Sequence, residues 1–456
     1  MRPRGGLGRT LERYLAVGLL FGLVGCTASS PAPPSRPSQA AVSAAPTVGV
    51  GEIIPAPGSS SRLYAPNPAA IVVGIDPGHG GCLDWGVPNP YDNTVDRSEK
   101  ALTLGISLAL RDVLEADGVT VVMTRDGDDA LAGDLDPDLG CNGDPFRDVN
   151  GDGVSGFGPD VPAETRTRDE LSAHIDLLNL ARADVLLCIH INSLTDNGEV
   201  VQVAATETFW TDETSWGVPA SERLATMVQQ DVVQGLSAVA PYDRQDRGID
   251  AVNYYIIAPA SETGDPSEPR RGSLMPGVLA EVGSMSLEAE ADLLATDAGQ
   301  AAIAEALAKA LDSWFAAREL GVRMDADLPN GMAGVAPTVE GTTGPPFWAP
   351  DLGGNGLDDG PLGMTLTNTG TAAWPAGTQL LAGWGLSDEP YLARRPDLAP
   401  LDVTIPALAP GESVHLEVLL PQAPPGGRSV SWLTLQVGDQ VLSDLGVLAL
   451  QLAHQP

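Results

Sequence analysis

Basic residues are scarce in this chain. Its 456 residues include 25 Lys and Arg against 60 Asp and Glu, a formal charge of −35. So acidic a chain carries no phosphate-neutralising surface, which excludes nucleic acid as a partner, and only a lipid would hold it to an anionic membrane. A membrane-length apolar run is also missing. The longest candidate, Leu15 to Val24, is shorter than the roughly 20 residues a spanning helix needs. Cysteine is limited to four residues, too few for a disulfide-built scaffold, and hydrophobic content of 43% supports ordinary cores instead. The length suits two domains rather than one.

Two apolar runs end in histidine. Val72-Val73-Gly74-Ile75-Asp76-Pro77-Gly78-His79-Gly80-Gly81 is a buried-strand pattern that breaks into a glycine-rich turn, and Val185-Leu186-Leu187-Cys188-Ile189-His190-Ile191-Asn192 repeats the device. In open α/β sheets ligands bind beyond the carboxyl ends of strands, so both histidines stand where chemistry is done and together suggest a metal. Two carboxylates are candidates to join them. Glu99 opens a helix behind Ser98, a candidate N-cap, where the helix dipole favours negative charge, although a surface role suits it equally. Glu281 lies within Val278-Leu279-Ala280-Glu281-Val282, where burial is costly unless the carboxylate has a partner.

Between Ala69 and about residue 318 strands and helices alternate. Strands are expected near 71–75, 119–124, 185–192, 252–257 and 277–282, and helices near 98–117, 169–183, 219–237 and 287–318. Leu102, Leu108, Leu110 and Leu114 supply the apolar face of the first helix. The expected class is α/β, a mostly parallel sheet flanked by helices.

The N-terminus places Arg2, Arg4, Arg9 and Arg13 before the apolar segment, which ends in Leu23-Val24-Gly25-Cys26. This resembles a bacterial lipobox, in which residues 1–25 are removed as a signal peptide and the cysteine is acylated. The resemblance implies an extracytoplasmic protein, lipid-anchored to a bacterial membrane through Cys26. From residue 26 to 68 the chain is rich in Pro, Ala and Ser and reads as a tether.

Ile75-Asp76-Pro77-Gly78-His79-Gly80-Gly81, Ser98-Glu99-Lys100, Ile189-His190-Ile191-Asn192 and Glu281-Val282-Gly283 occur in the order of the zinc N-acetylmuramoyl-L-alanine amidases of the amidase-3 family. Thr124-Arg125-Asp126, Asn179, Ala183-Asp184 and Gly283-Ser284-Met285-Ser286 with Glu288 and Glu290 add to the likeness, which covers about 70–318. The resemblance implies a catalytic domain over 69–320, Zn²⁺ held by His79, Glu99 and His190, and Glu281 as the catalytic base. The implied substrate is peptidoglycan, cut between N-acetylmuramic acid and L-alanine by zinc-activated water. The alternatives are a non-catalytic peptidoglycan-binding or regulatory lipoprotein on the same fold, and a zinc peptidase acting within stem peptides.

The chain departs from that family at His174, where an arginine is usual, and in an acidic insert from about 127 to 167. His174 is expected to be a surface or packing residue. Within the insert, Asp148-Val149-Asn150-Gly151-Asp152-Gly153 resembles the opening of a calcium loop, with Asp148, Asn150 and Asp152 as oxygen donors; Pro159 stands where the closing Glu belongs. Cys82 and Cys141 occupy long loops and are a candidate disulfide, whereas Cys188 sits in a buried strand as a free thiol.

Beyond residue 335 alternating runs such as Leu362-Gly363-Met364-Thr365-Leu366-Thr367-Asn368 are separated by Pro-Gly turns, the pattern of an antiparallel sandwich. Asn368, Gly370, Trp374-Pro375, Trp384, Pro410-Gly411-Glu412 and Trp432 resemble the four-tryptophan immunoglobulin-like domain. Its tryptophans are expected in the core, and the sequence names no partner for it.

Overall fold

The structure is a computed structural model that describes residues 53–56, 67–150, 153–155, 167–213, 218–259, 272–327, 361–386, 392, 394–424 and 429–454. Cys26 and its signal segment, and Asp152 of the calcium-like loop, lie outside the described residues. No helix among the described residues is long and apolar enough to cross a membrane.

The chain begins with a two-residue strand, β1 (Ile53–Ile54). The catalytic region then runs β2 (Val72–Pro77), α1 (Glu99–Ala116), β3 (Thr120–Met123), a small ribbon of β4 (Leu135–Asp136) and β5 (Cys141–Asn142), α2 (Arg168–Ala181) and β6 (Val185–Asn192). It continues through a short hairpin, β7 (Thr195–Asp196) and β8 (Glu199–Val200), to β9 (Ala204–Trp210), α3 (Val218–Val239), β10 (Arg244–Ala251), β11 (Gly277–Ser284), α4 (Glu288–Leu294) and α5 (Asp297–Ala316).

Six strands form one sheet in the order β10-β9-β11-β6-β2-β3. β3, β2, β6 and β11 are parallel neighbours, but β9 runs antiparallel to β11 and carries a parallel β10 at the edge. The sheet is therefore mixed. β10 escapes the hydrophobic pattern because it is an edge strand, Arg-Gln-Asp-Arg-Gly-Ile-Asp-Ala, with polar residues exposed. The apolar stretch at 252–257, read from sequence as a strand, is a turn: Ile257 N–H donates to Tyr254 O, while Ile256 and Ile257 are buried.

Both faces of the sheet are covered, which is why β2 and β6 read as unbroken apolar runs. Val73, Ile75, Leu187 and Ile189 face α1, α3 and α5, whereas Val72, Leu186 and Cys188 face α2, Leu131 and Val149. In α1 the buried apolar residues are Leu102, Ile106, Leu110 and Leu114; Leu108 is only half-buried, because the core-facing stripe follows the four-residue spacing.

A second all-β unit contains β12 (Val322–Ala326), β13 (Leu362–Asn368), β14 (Gln379–Leu386), β15 (Ala399–Pro400), β16 (Ser413–Val418), β17 (Ser429–Val437), β18 (Gln440–Val441) and β19 (Leu450–His454). Its two sheets share a core in which Leu366 and Val414 of one meet Leu380 and Leu433 of the other, around the fully buried Trp374. This unit takes in more chain than the sequence pattern implied. β12 pairs with β13 well before residue 335, and β1, from the segment read as tether, adds to β16 with Ile53 opposite Val414. Arg182 after α2 reaches Asp325 at 2.8 Å, and Arg318 after α5, paired with Asp184 at 2.8 Å, donates to Thr369 Oγ1 at 3.0 Å, tying the two units together at the amino ends of the parallel strands.

Candidate metal centre

The parallel strands β2, β6 and β11 bring three chemistry-bearing residues to their carboxyl ends. His79 follows β2 in a turn with φ +64, the left-handed region that a non-glycine residue occupies at a cost of about 1–2 kcal/mol. The strain is held by a fixed framework. Gly78 N–H donates to Ile189 O at 2.9 Å and Gly80 N–H to Asp84 O at 3.0 Å, and Arg125, 4% exposed, donates to Pro77 O, Gly78 O and Lys100 O. Gly78 is required by close approach, because a Cβ there would lie 2.5 Å from the His190 ring.

Glu99 enters from the first turn of α1 and is 1% exposed. Its Oε2 lies 3.0 Å from His79 Nε2 and its Oε1 lies 3.1 Å from His190 Nδ1. The same oxygens accept main-chain N–H groups, Oε2 from Val87 at 2.7 Å and Oε1 from Ile191 at 3.0 Å. Ser98 sits at the N-cap, but its hydroxyl donates to Val95 O and does not cap the helix. Burial opposes the charge on Glu99, but the two imidazoles outweigh it and hold the carboxyl far below the usual range.

His79, Glu99 and His190 are the metal-binding group that gathers among the described residues, with one ligand atom from each within 4.8 Å of the others. Tetrahedral zinc with bonds of about 2.0–2.1 Å places its ligand atoms roughly 3.3 Å apart. Glu99 turns a different oxygen to each imidazole, at 3.0 and 3.1 Å, and one ligand atom from each residue lies within 4.8 Å of the others, so two imidazoles and one carboxylate converge as a donor set that suits such an ion.

Asp84 is a site residue that sequence reasoning passed over. Its Oδ1 lies 2.8 Å from His79 Nδ1, the ring nitrogen facing away from Glu99. A carboxylate behind a ligating histidine fixes its tautomer and orientation. The available signal was an acid five residues after His79 in the same glycine-rich loop. Burial works against a proton on His79, but Asp84 and Glu99 outweigh it and raise the ring well above its ordinary pKa. The same negative field favours a metal cation there.

Glu281 projects from β11. Its Oε2 is closed to solvent and has no hydrogen-bond partner among the described residues. Burial pushes its carboxyl up to about 7, with His190 pulling it down and Glu99 pushing it further up. His79, Glu99, His190 and Glu281 line one cavity of about 370 Å³.

The insert forms a wall of that cavity through Ala130, Ala132, Gly133, Phe146 and Arg147. Cys82 and Cys141 are disulfide-bonded with Cα atoms 5.7 Å apart, joining the His79 loop to the insert. Glu170 of α2 grips the insert from the other side, accepting Leu131 and Ala132 N–H groups at 2.6 Å each. The calcium-like loop gathers no metal-binding group among the described residues. Asp148 Oδ2 accepts the Gly153 N–H at 2.9 Å, and the Asn150 N–H donates to Asp169.

His174 is a buried packing residue with a further duty. Its Nε2 meets Glu170 Oε1 at 2.8 Å, and its Nδ1 lies 2.8 Å from Asp76 Oδ1 as a charge contact. Asp76 also accepts from Thr124 Oγ1 and from the Cys188 thiol, at 2.6 and 2.9 Å. Cys188 is thus free and buried.

Residues 73–313 match the N-acetylmuramoyl-L-alanine amidase family. The chain belongs to that family. The Bacillus subtilis germination-specific N-acetylmuramoyl-L-alanine amidase is 24% identical over 54% of this chain and 79% of its own length. The uncharacterized Bacillus subtilis protein YqiI is 24% identical over 53% of this chain and 83% of its own. Among solved structures, the CwlD amidase of Clostridioides difficile, in complex with the GerS lipoprotein, is 21% identical over 54% of this chain and 98% of that one, with a TM-score of 0.38. The catalytic domain of CwlV from Paenibacillus polymyxa covers 54% of this chain and 97% of its own at 23% identity, with a TM-score of 0.35. The sequence match carries the assignment. It spans His79, Glu99, His190 and Glu281, so the amidase family's region contains the whole metal-binding group.

Proposed function

We propose that this amidase-family protein hydrolyses the amide between the lactyl group of N-acetylmuramic acid and L-alanine of peptidoglycan stem peptides, with Zn²⁺ as cofactor. The observation that carries the reading is the convergence of His79, Glu99 and His190 beside Glu281 within the family's region. Zinc held by the three ligands would polarise the amide carbonyl and acidify a water molecule.

The chain's own residues do the rest. Asp84 holds His79 through Nδ1, so that Nε2 is presented towards Glu99. Glu281 Oε2 accepts a proton from the attacking water and delivers it to the amine nitrogen that leaves with L-alanine, so one proton passes through one carboxylate. Burial in the cavity wall favours the protonated carboxyl, which suits a group that must hold the proton between the two halves of that transfer. Arg125 and the Gly78 turn keep the His79 loop rigid while this happens.

The test is digestion of purified sacculi by the zinc-loaded protein, with the products read by mass spectrometry. Intact stem peptides bearing a free L-alanine amine are the expected product. Peptide fragments would indicate a peptidase, and no release would indicate a binding or regulatory protein.

The same reading puts the protein outside the cytoplasm, anchored through Cys26, with support from the apolar segment that ends at that cysteine. Cys26→Ala should move it from the membrane fraction to the soluble exported fraction, and an unchanged distribution would overturn the anchor.

A further inference from the structure

Arg147 is the one lysine or arginine among the described residues that line the catalytic cavity. It belongs to the insert, where its main-chain N–H donates to Ala132 O at 2.8 Å and its Nη2 donates to Leu131 O. Its guanidinium pairs with no carboxylate among the described residues. That is unexpected in a chain with 60 acidic and 25 basic residues. The acids around it have other partners. Glu170 holds the Leu131 and Ala132 amides and His174, Asp169 accepts the Val149 N–H at 2.7 Å, and Asp134 accepts the Cys82 N–H at 3.2 Å.

A guanidinium offers five N–H donors in a planar fork that fits a carboxylate. One nitrogen of Arg147 is anchored to a carbonyl, and the insert beneath it is pinned by the disulfide and by Glu170. The fork is therefore pre-organised, and it lines the same cavity as Glu281. We propose that Arg147 recognises a carboxylate on the peptide arm of the substrate, so that the insert selects acidic stems. The inference rests on the amidase reading and adds to it the substrate feature that the insert reads.

The carboxylate could stand on the second residue (the free α-carboxyl of a γ-linked glutamate), on a third-residue diamino acid, or at the peptide's C-terminus. Three pairs of soluble N-acetylmuramoyl peptides, each differing only by carboxylate or amide at one of these positions, separate the sources. In one pair the wild-type protein should favour the acid by about 10- to 100-fold in kcat/KM, the scale of a charge-assisted hydrogen-bond pair. Arg147→Gln should erase that preference, with the loss falling on KM, and Arg147→Lys should restore only part of it. Circular dichroism and melting confirm that each variant is folded, and the wild-type pairs alone keep the test decisive if one is not. Calorimetric binding of the free stem peptides is the second readout and needs no turnover. Equal cleavage of both members in all three pairs would overturn the inference while leaving the amidase reading intact, as would discrimination that survives Arg147→Gln. Absence of cleavage from every pair would sink the amidase reading instead, and stem peptides that bind wild type and Arg147→Gln equally would overturn the role of Arg147 on their own.

Discussion

Glu281 and His190 are register partners across the parallel β11–β6 pair, so a base and a metal ligand stand side by side on neighbouring strands. Leu279 and Cys188, two residues earlier on each strand, face the α2 side of the sheet, and the two-residue period puts Glu281 and His190 on that same side, towards the insert.

This adjacency separates binding from turnover. Glu281→Ala should keep stoichiometric zinc and lose about 10²- to 10⁴-fold in rate, the usual contribution of a positioned acid–base group. Metal analysis and peptide release on the same sample check it. A near-normal rate would remove Glu281 from the mechanism.

Substitution of His79, Glu99 or His190 by Ala should abolish zinc binding measured by metal analysis. Asp84→Asn keeps the shape but weakens the acceptor behind His79 Nδ1. It should retain zinc with affinity lowered by about 10- to 100-fold in a competition titration. Unchanged affinity would show that Asp84 does not support the ligand.

His174 yields a pH prediction. Burial opposes its charge, but the Asp76 carboxylate outweighs burial and pushes the ring up to about 10. An unfolded histidine titrates near ~6.5, so the folded protein holds this proton the more tightly. The stabilisation is complete below about pH 6.5 and is lost as pH rises through about 10. The melting-temperature advantage of wild type over His174→Gln should therefore shrink steadily from pH 7 to pH 10. A constant advantage would mean that the ring packs as a neutral group.

The Cys82–Cys141 bond closes a sequence separation of 59 residues between the His79 loop and the insert. Its loss in Cys82→Ser/Cys141→Ser should lower unfolding free energy by about 2–4 kcal/mol in denaturant titration. Proteolysis within 127–150 should become faster. Cleavage at the wild-type rate would show that Glu170 alone holds the insert.

The residues of the centre were legible as residue types in strand and helix-start patterns: His79 and His190 end apolar runs, and Glu281 interrupts one. Glu99 was ambiguous by itself, because an acid at a helix start has a sufficient local reason to be there. Only the likeness to a family singled it out, and only the fold shows its two oxygens facing two imidazoles 91 and 20 residues away. Asp84, His174 and Arg147 gave no comparable signal. Each acts through a side chain from another loop, helix or carbonyl, and no periodicity encodes that.

What the chain determines locally is the apolar strand, the glycine-rich turn after it, the amphipathic helix and the alternating strands past residue 361, because each follows from the side chains of one segment. What the tertiary structure decided is every relationship between segments. The antiparallel β9, the polar edge strand β10 and the addition of Ile53–Ile54 to β16 depend on which backbone edges remain open for hydrogen bonding. The closing of the insert over the catalytic cavity depends on Cys82 meeting Cys141 and on Glu170 meeting two amides. These contacts form between groups far apart in sequence, so their free energy exists only once the sheet has brought the segments together.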